Sequence, residues 1–574
     1  MINLLRLYTA IGLIVSITSP NAALAELIID PDGVGATGVS GGPVQNGIVN
    51  LPGPVLDFAS QQLIIGFRDM SGPVSGWPAA IPGSVILNAA TGTNNVVGLE
   101  NVGSVIMGNR EAGSLVIDGQ GVPGRAFVKV FDPVTRPAAG RFSMVGAYSS
   151  SLEVVNGGTL SINSGGRGLL SLGGYAGNSV SVAGGGSRID IAGWLTSGAD
   201  DLASGPLLPN SIVISDGGVV NAYDNVSNAF QLQLGTVSIG ANTRLSVMGE
   251  DAALSFGSGG LSLSGSNSAI EVRDGGAIIE NLRDPLIDYS AISSINFPAI
   301  YLVSEAVQSN ASLLIVNGVN SRVSVHDNIQ IGDDVGMSGI NPATGNNEFF
   351  YSAGQGSAVV EDNGLLKTDG TIYVSGNRGV GSTGNLIVRS GGTVQADTIV
   401  INAGGVLNGN GGTIIGDVNL NGGLVAPGAS PGSMTIDGDF NFFDGVVEFE
   451  IGGSNAGEFD VLNVLGNFTA YEGSVFKFIL ASNFAPTPST SFSFLNVSGT
   501  SNFDLIKPSF IFEGFGNALY SVFTSNGKFA LATSDPFADG GPIAPVPLPA
   551  PILLLAAAIF GLFSLAKGKR ASIA

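Results

Sequence analysis

The chain has 574 residues, of which 87 are Gly and none is Cys, and its formal net charge is −22. The lack of Cys excludes disulfides, iron–sulfur ligation, thiolate zinc sites and cysteine nucleophiles. The acidic balance predicts that nucleic acid is not a partner. Hydrophobic residues make up 44% of the chain, so a large core can be buried. Together with the Gly content, this predicts an all-β fold of short strands and tight turns.

Residues 1–25 are predicted to be a signal peptide. A positive charge at Arg6 precedes an apolar stretch from 7 to 17, and Ala23 and Ala25 form an A-x-A cleavage site before Glu26. This order of charge, apolar run and small residues is typical of a secretory leader. We expect Sec-type export machinery as a partner and an exported mature chain that begins at Glu26.

Residues 26–100 are irregular and contain many prolines, so we expect them to cap the next region. In that region, 101–432, one pattern recurs: alternating apolar residues, a polar residue and two glycines, as in "LEVVNGGTLSI", "SIVISDGGVV" and "AIEVRDGGAI". The second glycines of these copies, Gly158, Gly218 and Gly276, are spaced 60 and 58 residues apart. The alternation predicts a strand with one buried face, and the Asn-Gly or Asp-Gly pair predicts a tight turn of positive φ.

A strand of about five residues cannot bury its face alone, so neighbouring units must stack. If three coils share each interval, a coil has about 19–20 residues, and residues 101–432 make about 17 coils in a rod about 80 Å long. We therefore predict a right-handed parallel β-helix or β-solenoid. The turns are also consistent with the alternative fold, a series of antiparallel β-sandwiches, but the irregular spacing of recurring short strands favours the solenoid.

The repeats resemble the passenger repeats of autotransporter-type and related adhesin-like proteins. That resemblance implies stacked coils outside the cell. Because no β-barrel translocator follows, we expect a different secretion route.

A second stretch resembles the terminal segment of many such surface proteins, a P-G-x-S-P-G turn followed by E-I-G-G and an Asp. The matching residues are Pro427, Gly428, Ser430, Pro431 and Gly432, then Glu450, Ile451, Gly452, Gly453 and Asp460. Of the 30 phenylalanines, 17 lie between residues 440 and 529, which predicts a bulkier core there. We expect 433–533 to form a Phe-rich C-terminal β cap that covers the last coil.

Residues 534–545 are predicted to be a flexible stalk. Residues 546–574 combine three features: an extended, proline-containing motif (Val546, Pro547, Leu548, Pro549, Ala550), an apolar run to residue 566, and a basic end at Lys567, Lys569 and Arg570. The apolar run approaches the length of a transmembrane helix. The basic end predicts that this terminus stays in the cytoplasm. We expect one C-terminal transmembrane helix.

This tail resembles the tripartite sorting signals of the PEP-CTERM class, in the variant named for its VPLPA motif. The resemblance implies processing by an exosortase-type membrane protease in a Gram-negative bacterium, usually one that makes exopolysaccharide. We expect an inner-membrane intermediate, held by the C-terminal helix, and then a cell-surface or extracellular product.

The candidate catalytic groups are few. His326 is the only histidine, and the acidic pairs are Asp200 with Asp201, Asp333 with Asp334, and Glu458 with Asp460. We expect the acidic pairs to lie in solvated turns and His326 to be a surface residue of a strand, with no catalytic role for either. We expect no metal ligands and no cofactor, although Asp-rich turns leave Ca²⁺ open.

The sequence favours a non-enzymatic surface or matrix protein that acts in adhesion or in contact with extracellular polysaccharide and biofilm. A β-helix polysaccharide lyase or hydrolase and a purely structural coat protein are the alternatives. Exposed tryptophans at Trp77 or Trp194 could contact sugar, but packing roles are equally consistent with the sequence.

Overall fold

A computed structural model describes residues 96–533 with internal gaps, together with six strands between residues 26 and 88. The predicted signal peptide and residues 534–574 lie outside the described residues. The internal gaps are 109–111, 132–140, 145–148, 164–167, 174–176, 199–207, 227–231, 266, 282–298, 306–311, 341–346, 377–380, 429–430, 482–483, 488–489, 507 and 516–519.

Short strands make up nearly all of the regular structure. In chain order, the first strands are β1 (Glu26–Asp30), β2 (Val44–Asn46), β3 (Ile48–Leu51), β4 (Val55–Asp57), β5 (Gln62–Ile65), β6 (Gly83–Asn88), β7 (Val97–Val102), β8 (Ser104–Met107), β9 (Gly113–Asp118), β10 (Ala126–Val130), β11 (Arg141–Met144), β12 (Ser151–Val155), β13 (Thr159–Ile162), β14 (Gly168–Leu172), β15 (Ser179–Ala183) and β16 (Arg188–Ile191). The central strands are β17 (Gly193–Ser197), β18 (Asn210–Ser215), β19 (Val219–Ala222), β20 (Asn225–Val226), β21 (Leu232–Gln233), β22 (Thr236–Ile239), β23 (Thr243–Met248), β24 (Ala253–Phe256), β25 (Gly260–Ser264), β26 (Ala269–Arg273), β27 (Ala277–Glu280), β28 (Ile300–Glu305), β29 (Ser312–Asn317), β30 (Arg322–Val325), β31 (Ile329–Ile331) and β32 (Asp334–Ile340). The remaining elements are β33 (Asn347–Glu361), β34 (Leu365–Thr368), β35 (Thr371–Val374), β36 (Thr383–Arg389), β37 (Thr393–Asn402), β38 (Gly405–Asn410), β39 (Gly412–Ala426), β40 (Ser433–Asp437), β41 (Phe440–Ile451), β42 (Val461–Val464), β43 (Phe468–Ala470), β44 (Ser474–Leu480), β45 (Ser491–Val497), α1 (Phe503–Ile506), β46 (Ser509–Glu513), β47 (Ser521–Ser525) and β48 (Lys528–Ala532).

The strands pair in parallel along three ladders, and each coil of the chain adds a strand to each ladder. The first ladder runs β3-β6-β9-β12-β15-β18-β23-β26-β29-β33-β36-β38-β39-β41-β44-β46. The second runs β4-β7-β10-β13-β16-β19-β24-β27-β30-β34-β37-β39-β40-β42-β45, and the third runs β1-β5-β8-β11-β14-β17-β22-β25-β28-β31-β35-β37-β39-β41-β43. This confirms the predicted all-β fold and its parallel β-solenoid in place of tandem antiparallel β-sandwiches.

The core lies inside the three ladders, and the alternation of each strand builds it. In β12, Leu152 and Val154 are fully buried and Glu153 between them is exposed. The next coil places Val180 and Val182 in register with the two buried residues. Burying one such aliphatic side chain stabilises the fold by about 1.5–3 kcal/mol. Stacked strands therefore bury enough aliphatic side chains together to stabilise the fold, which one short strand cannot do alone.

Two kinds of turn alternate at the corner between the first and second ladders. Asn156, Asp216 and Asp274 adopt positive φ values of 50°, 51° and 53°, and two glycines follow each of them. The intervening coils place Gly184 and Gly249 at the equivalent position, with φ values of 89° and 93°. In this stretch the turn in which an Asn or Asp precedes two glycines therefore returns on every second coil.

The predicted coil length was wrong for this reason. Thr159 pairs with Arg188 and Arg188 with Val219, so two coils rather than three fill the 60-residue interval between Gly158 and Gly218. Offsets between paired residues of the first ladder range from 18 to 44 residues, because segments of different length are inserted at the corners. The first ladder holds eleven strands between residues 101 and 432 in place of the predicted 17 coils. That stretch is about 50 Å long at about 4.8 Å per coil.

Paired strands continue on both sides of the boundaries predicted at residues 100 and 432. Towards the C-terminal end the chain turns corners within single strands. β39 contributes Thr413–Ile415 to the second ladder, Asp417–Leu420 to the third and Leu424–Ala426 to the first. The corners of β39 contain no inserted loops, so the coils to which β39 belongs are among the shortest.

Aromatic side chains join aliphatic ones in the core of the C-terminal coils, as the Phe content predicted. Phe442, Phe449, Phe476 and Phe478 are fully buried. The ring centroids of Phe449 and Phe478 lie 5.6 Å apart in a stacked pair, and those of Phe442 and Phe476 lie 5.5 Å apart edge to face. Both arrangements are favourable for aromatic quadrupoles.

The second ladder ends in reversed strands. β45 pairs in parallel with β42 but antiparallel with β48, and β48 pairs antiparallel with β47. These strands occupy the edge that a further coil would otherwise use.

Among the described residues, no helix is long and apolar enough to cross a bilayer, and α1 has four residues.

The tight stacking at the double-glycine turn makes a testable prediction. A Cβ at Gly218 would collide with the Val182 carbonyl oxygen of the preceding coil, whereas a Cβ at Gly185 would meet nothing within 4 Å. We expect Gly218→Ala to lower the free energy of unfolding by about 2 kcal/mol. The matched Gly185→Ala control should change it by less than about 0.5 kcal/mol. Urea denaturation followed by circular dichroism measures both, and equal effects would refute the packing argument.

Candidate functional site

The predicted export and sorting residues lie almost entirely outside the described residues. This applies to Ala23 and Ala25, to the motif at 546–550 and to the basic residues at 567, 569 and 570. Glu26, the predicted first residue of the mature chain, is the first residue of β1. The roles of these residues stay predictions.

The structure brings the parts of the predicted terminal motif together around one carboxylate. The Gly432 amide donates to Oδ1 of Asp460 over 2.7 Å, and the Glu450 amide donates to Oδ2 over 2.7 Å. The Asp460 amide donates in return to the Glu450 carbonyl over 2.9 Å. A Cβ on Gly428 would collide with Oδ1 of Asp460. The motif therefore needs glycine at 428 and a carboxylate at 460 for reasons of space and hydrogen bonding.

Asp460 is buried, with 2% of its surface exposed. Burial raises the pKa of its carboxyl to about 6, against the opposing effect of the two backbone donors, and the nearby charges of Glu450 and Glu448 add to the rise. A carboxyl of this kind changes charge near neutral pH. Here both oxygens accept backbone hydrogen bonds, so the arrangement holds the turn to strand β41.

Glu458 does not share the site of Asp460. It is exposed, and its Oε2 accepts hydrogen bonds from the Asn455 backbone and side-chain nitrogens, both over 2.9 Å. These bonds lower the pKa of Glu458. The two acids thus lie in opposite environments, one buried and one in solvent, and each is engaged by its own local turn.

His326 lies on the surface, as predicted, but in the bend after β30 rather than in a strand. Its Nδ1 is 2.8 Å from Oδ2 of Asp369, and this hydrogen bond lowers the pKa of Asp369. Beneath the bend, the buried Glu280 accepts hydrogen bonds from the His326 and Asp327 amides over 2.7 and 3.2 Å. Burial raises the pKa of Glu280.

Sequence reasoning missed Glu280, although a signal was present. In β27, Ile278 and Glu280 occupy inward positions and Ile279 between them is less buried. A carboxylate at an inward position of an alternating strand needs donors, and the bend supplies them.

Asp333 is partly buried, while Asp200, Asp201 and Ser430 lie outside the described residues. Within the part of the chain that the structure describes, no three acidic or histidine side chains are grouped to hold a metal ion.

The outward face of the third ladder carries a row of uncharged polar side chains. Residues paired in register from one coil to the next form this row: Ser143, Ser171, Thr196, Ser238, Ser262, Tyr301, Gln330 and Tyr373. The equivalent row of the second ladder contains the charged residues Lys129, Asp190 and Lys367. That of the first ladder contains Glu153 and Glu271.

The row was not visible in the sequence. Its five serine and threonine members are separated by between 24 and 42 residues. No fixed period connects them, because the inserted corner segments differ in length. The register of the strands brings them into line.

No protein-family model matches this chain, and no curated protein matches it. Two solved structures show some similarity. A TibC-catalyzed hyper-glycosylated TibA fragment has a TM-score of 0.29 at 12% identity, covering 78% of this chain and 99% of that fragment. The Haemophilus influenzae Hap adhesin has a TM-score of 0.17 at 12% identity, covering 85% of this chain and 64% of the adhesin.

Proposed function

We propose that the chain is an exported cell-surface or extracellular-matrix protein that acts, without enzymatic activity, in adhesion or in association with exopolysaccharide and biofilm. The observation that carries this proposal is the set of three outward ladder faces. Each face repeats side chains in register from coil to coil over the length of the rod.

Such a face suits weak, repeated binding. Neighbouring coils present their outward side chains in register about 4.8 Å apart, so one extended ligand can contact many coils at once. Once one contact forms, the next is intramolecular, and overall avidity can exceed the affinity of any single contact. A rod of stacked coils therefore binds a polymer through its length rather than through one deep pocket.

Export and display belong to the same proposal. The predicted leader would direct Sec-type export with cleavage before Glu26. The C-terminal segment 546–574 would halt the chain as an inner-membrane intermediate with a single helix, where an exosortase-type protease would process the VPLPA motif. The coil is taken to be right-handed, the hand that parallel crossovers almost always adopt.

Deleting Val546–Ala574 tests display directly. We expect the deleted protein to be exported but not retained at the cell surface, and to be found in the periplasm or the medium, because neither the membrane helix nor the sorting motif remains. Immunoblots of surface, periplasmic and medium fractions measure this. A variant with Val546, Pro547 and Pro549 replaced by Ala is the matched control, since it keeps the apolar helix and should stay at the membrane unprocessed. Normal surface retention of the deletion protein would refute the sorting proposal.

A further inference from the structure

One ladder face combines an exposed aromatic ring with the uncharged row. Trp194 is 41% exposed and lies two residues before Thr196 of that row. In the adjoining outward row, Trp194 pairs in register with Leu169 and Thr236, and Leu169 pairs with Arg141. The outward residues of β11, β14, β17, β22 and β25 are called the Trp194 face below.

The Trp194 face has no carboxylate in either row, in a chain whose net charge is −22. Its one charge is the exposed guanidinium of Arg141 at one end. The faces of the other two ladders carry acids and bases over the same coils. The absence of repelling or attracting charge over most of the Trp194 face favours a neutral partner over a polyion.

The chemistry of the Trp194 face suits sugars. A partly exposed indole offers a flat apolar surface to the C–H face of a pyranose ring. Serine and threonine hydroxyls both donate and accept, as sugar hydroxyls do. The Oγ atoms of Ser238 and Ser262 lie 3.1 Å apart, so adjacent coils already present hydroxyls at hydrogen-bonding distance.

The length of the hydroxyl row suits a chain of sugars rather than a single sugar. From Ser143 to Ser262 the row crosses four coil spacings, or about 19 Å at about 4.8 Å per coil. A polymer that lies along the solenoid axis would meet a hydroxyl at every step and the indole midway.

We propose that the Trp194 face is the binding surface for a neutral polysaccharide chain that runs along the solenoid axis. This inference rests on the proposed association with exopolysaccharide and assigns that association to one of the three faces. Trp194 supplies stacking, and the hydroxyl row supplies repeated hydrogen bonds.

The test uses the full chain purified in detergent and the extracellular polysaccharide of the producing cells, separated by anion exchange into neutral and anionic fractions. Affinity electrophoresis measures the apparent Kd for each fraction. We expect binding to the neutral fraction, with Trp194→Ala weakening it about tenfold through lost stacking. Ser171→Glu should weaken it similarly by placing a charge in the row. The matched control is Ser161→Glu, in the same coil but on the second ladder, which should bind as the wild type does.

The outcomes separate the two proposals. Binding that is unchanged in Trp194→Ala and Ser171→Glu would overturn the assignment to this face and leave the polysaccharide association standing. Preference for the anionic fraction would also overturn it. If the wild type bound neither fraction, the association and the face would fail together, while the surface-display result would be unaffected.

Discussion

Replacing Phe476 by Ala is expected to lower the free energy of unfolding of the C-terminal coils by about 4 kcal/mol. Phe476 is fully buried, and its ring centroid lies 5.5 Å from those of Phe442 and Phe503. Truncation removes the centre of this aromatic cluster and leaves a cavity that stacked strands on either side cannot close. The matched control is Phe443→Ala, because Phe443 is 39% exposed and stacks on Tyr471 at the surface.

Hydrogen exchange is the appropriate measurement, since each coil of a solenoid contacts mainly its neighbours and can open locally. Protection should fall in β41, β44 and β46 for Phe476→Ala. It should stay near the wild-type level in the N-terminal coils. If Phe443→Ala and Phe476→Ala lost protection equally, the buried cluster would not be what stabilises this end.

Replacing Asp460 by Ala is expected to lower the free energy of unfolding by about 3 kcal/mol, because two partly buried amide donors, at Gly432 and Glu450, lose their acceptor. Glu458→Ala is the control, since Glu458 is exposed and only its local turn depends on it. Thermal denaturation at about pH 5 compares the variants, because the contribution of this carboxyl is lost as pH rises through about 6. Equal stability of Asp460→Ala and wild type would show that water or other groups satisfy those amides.

The same carboxyl makes stability depend on pH. Its pKa is raised to about 6 in the folded chain, against about 3.9 when unfolded. The folded state therefore binds the proton more tightly, so this group's contribution is fully present below about pH 4 and is lost as pH rises through about 6. Between about pH 4 and pH values above 6, the contribution of this group to the free energy of unfolding falls by about 3 kcal/mol. In Asp460→Asn this decline between pH 4 and 6 should disappear. An unchanged pH profile in Asp460→Asn would contradict the assignment.

Much of the fold could be predicted from local pattern. Alternation in segments such as Leu152 to Val154 identifies which side chains face the core, and Asp-Gly-Gly identifies the corner. Both signals are local and physical: a strand has a period of two, and a tight turn needs positive φ. These two signals were also consistent with antiparallel β-sandwiches. The irregular spacing of the recurring short strands is what favoured the parallel solenoid.

The number of residues per coil could not be predicted from the sequence, because the residues that form a turn do not show how many residues separate it from the next turn. In the central coils the corner alternates between Asn- or Asp-led double-glycine turns, as at Asp216, and glycine-led turns, as at Gly249, so the Asn- or Asp-led turn marks pairs of coils there. The segments inserted at other corners have no period at all. The register that aligns Ser171 with Thr196 depends on those inserts, which is why the Trp194 face could not be predicted.

Some residues of the candidate site could be predicted from local sequence, and others depend on the register between coils. The P-G-x-S-P-G motif and Asp460 could be predicted as one unit from the resemblance, but the reason, a buried carboxylate that accepts two backbone amides, required coordinates. The buried Glu280 could have been found from its inward position in β27. Its donors at the His326 bend come from the next coil and could not.

The intact mass of the protein recovered from the outside of the cells tests the whole account most directly. We expect a chain that begins at Glu26 and ends within or just after the 546–550 motif, with a mass well below the 57.8 kDa of the full chain. A protein found in the cytosol, with Met1 and Ala574 both present, would contradict it.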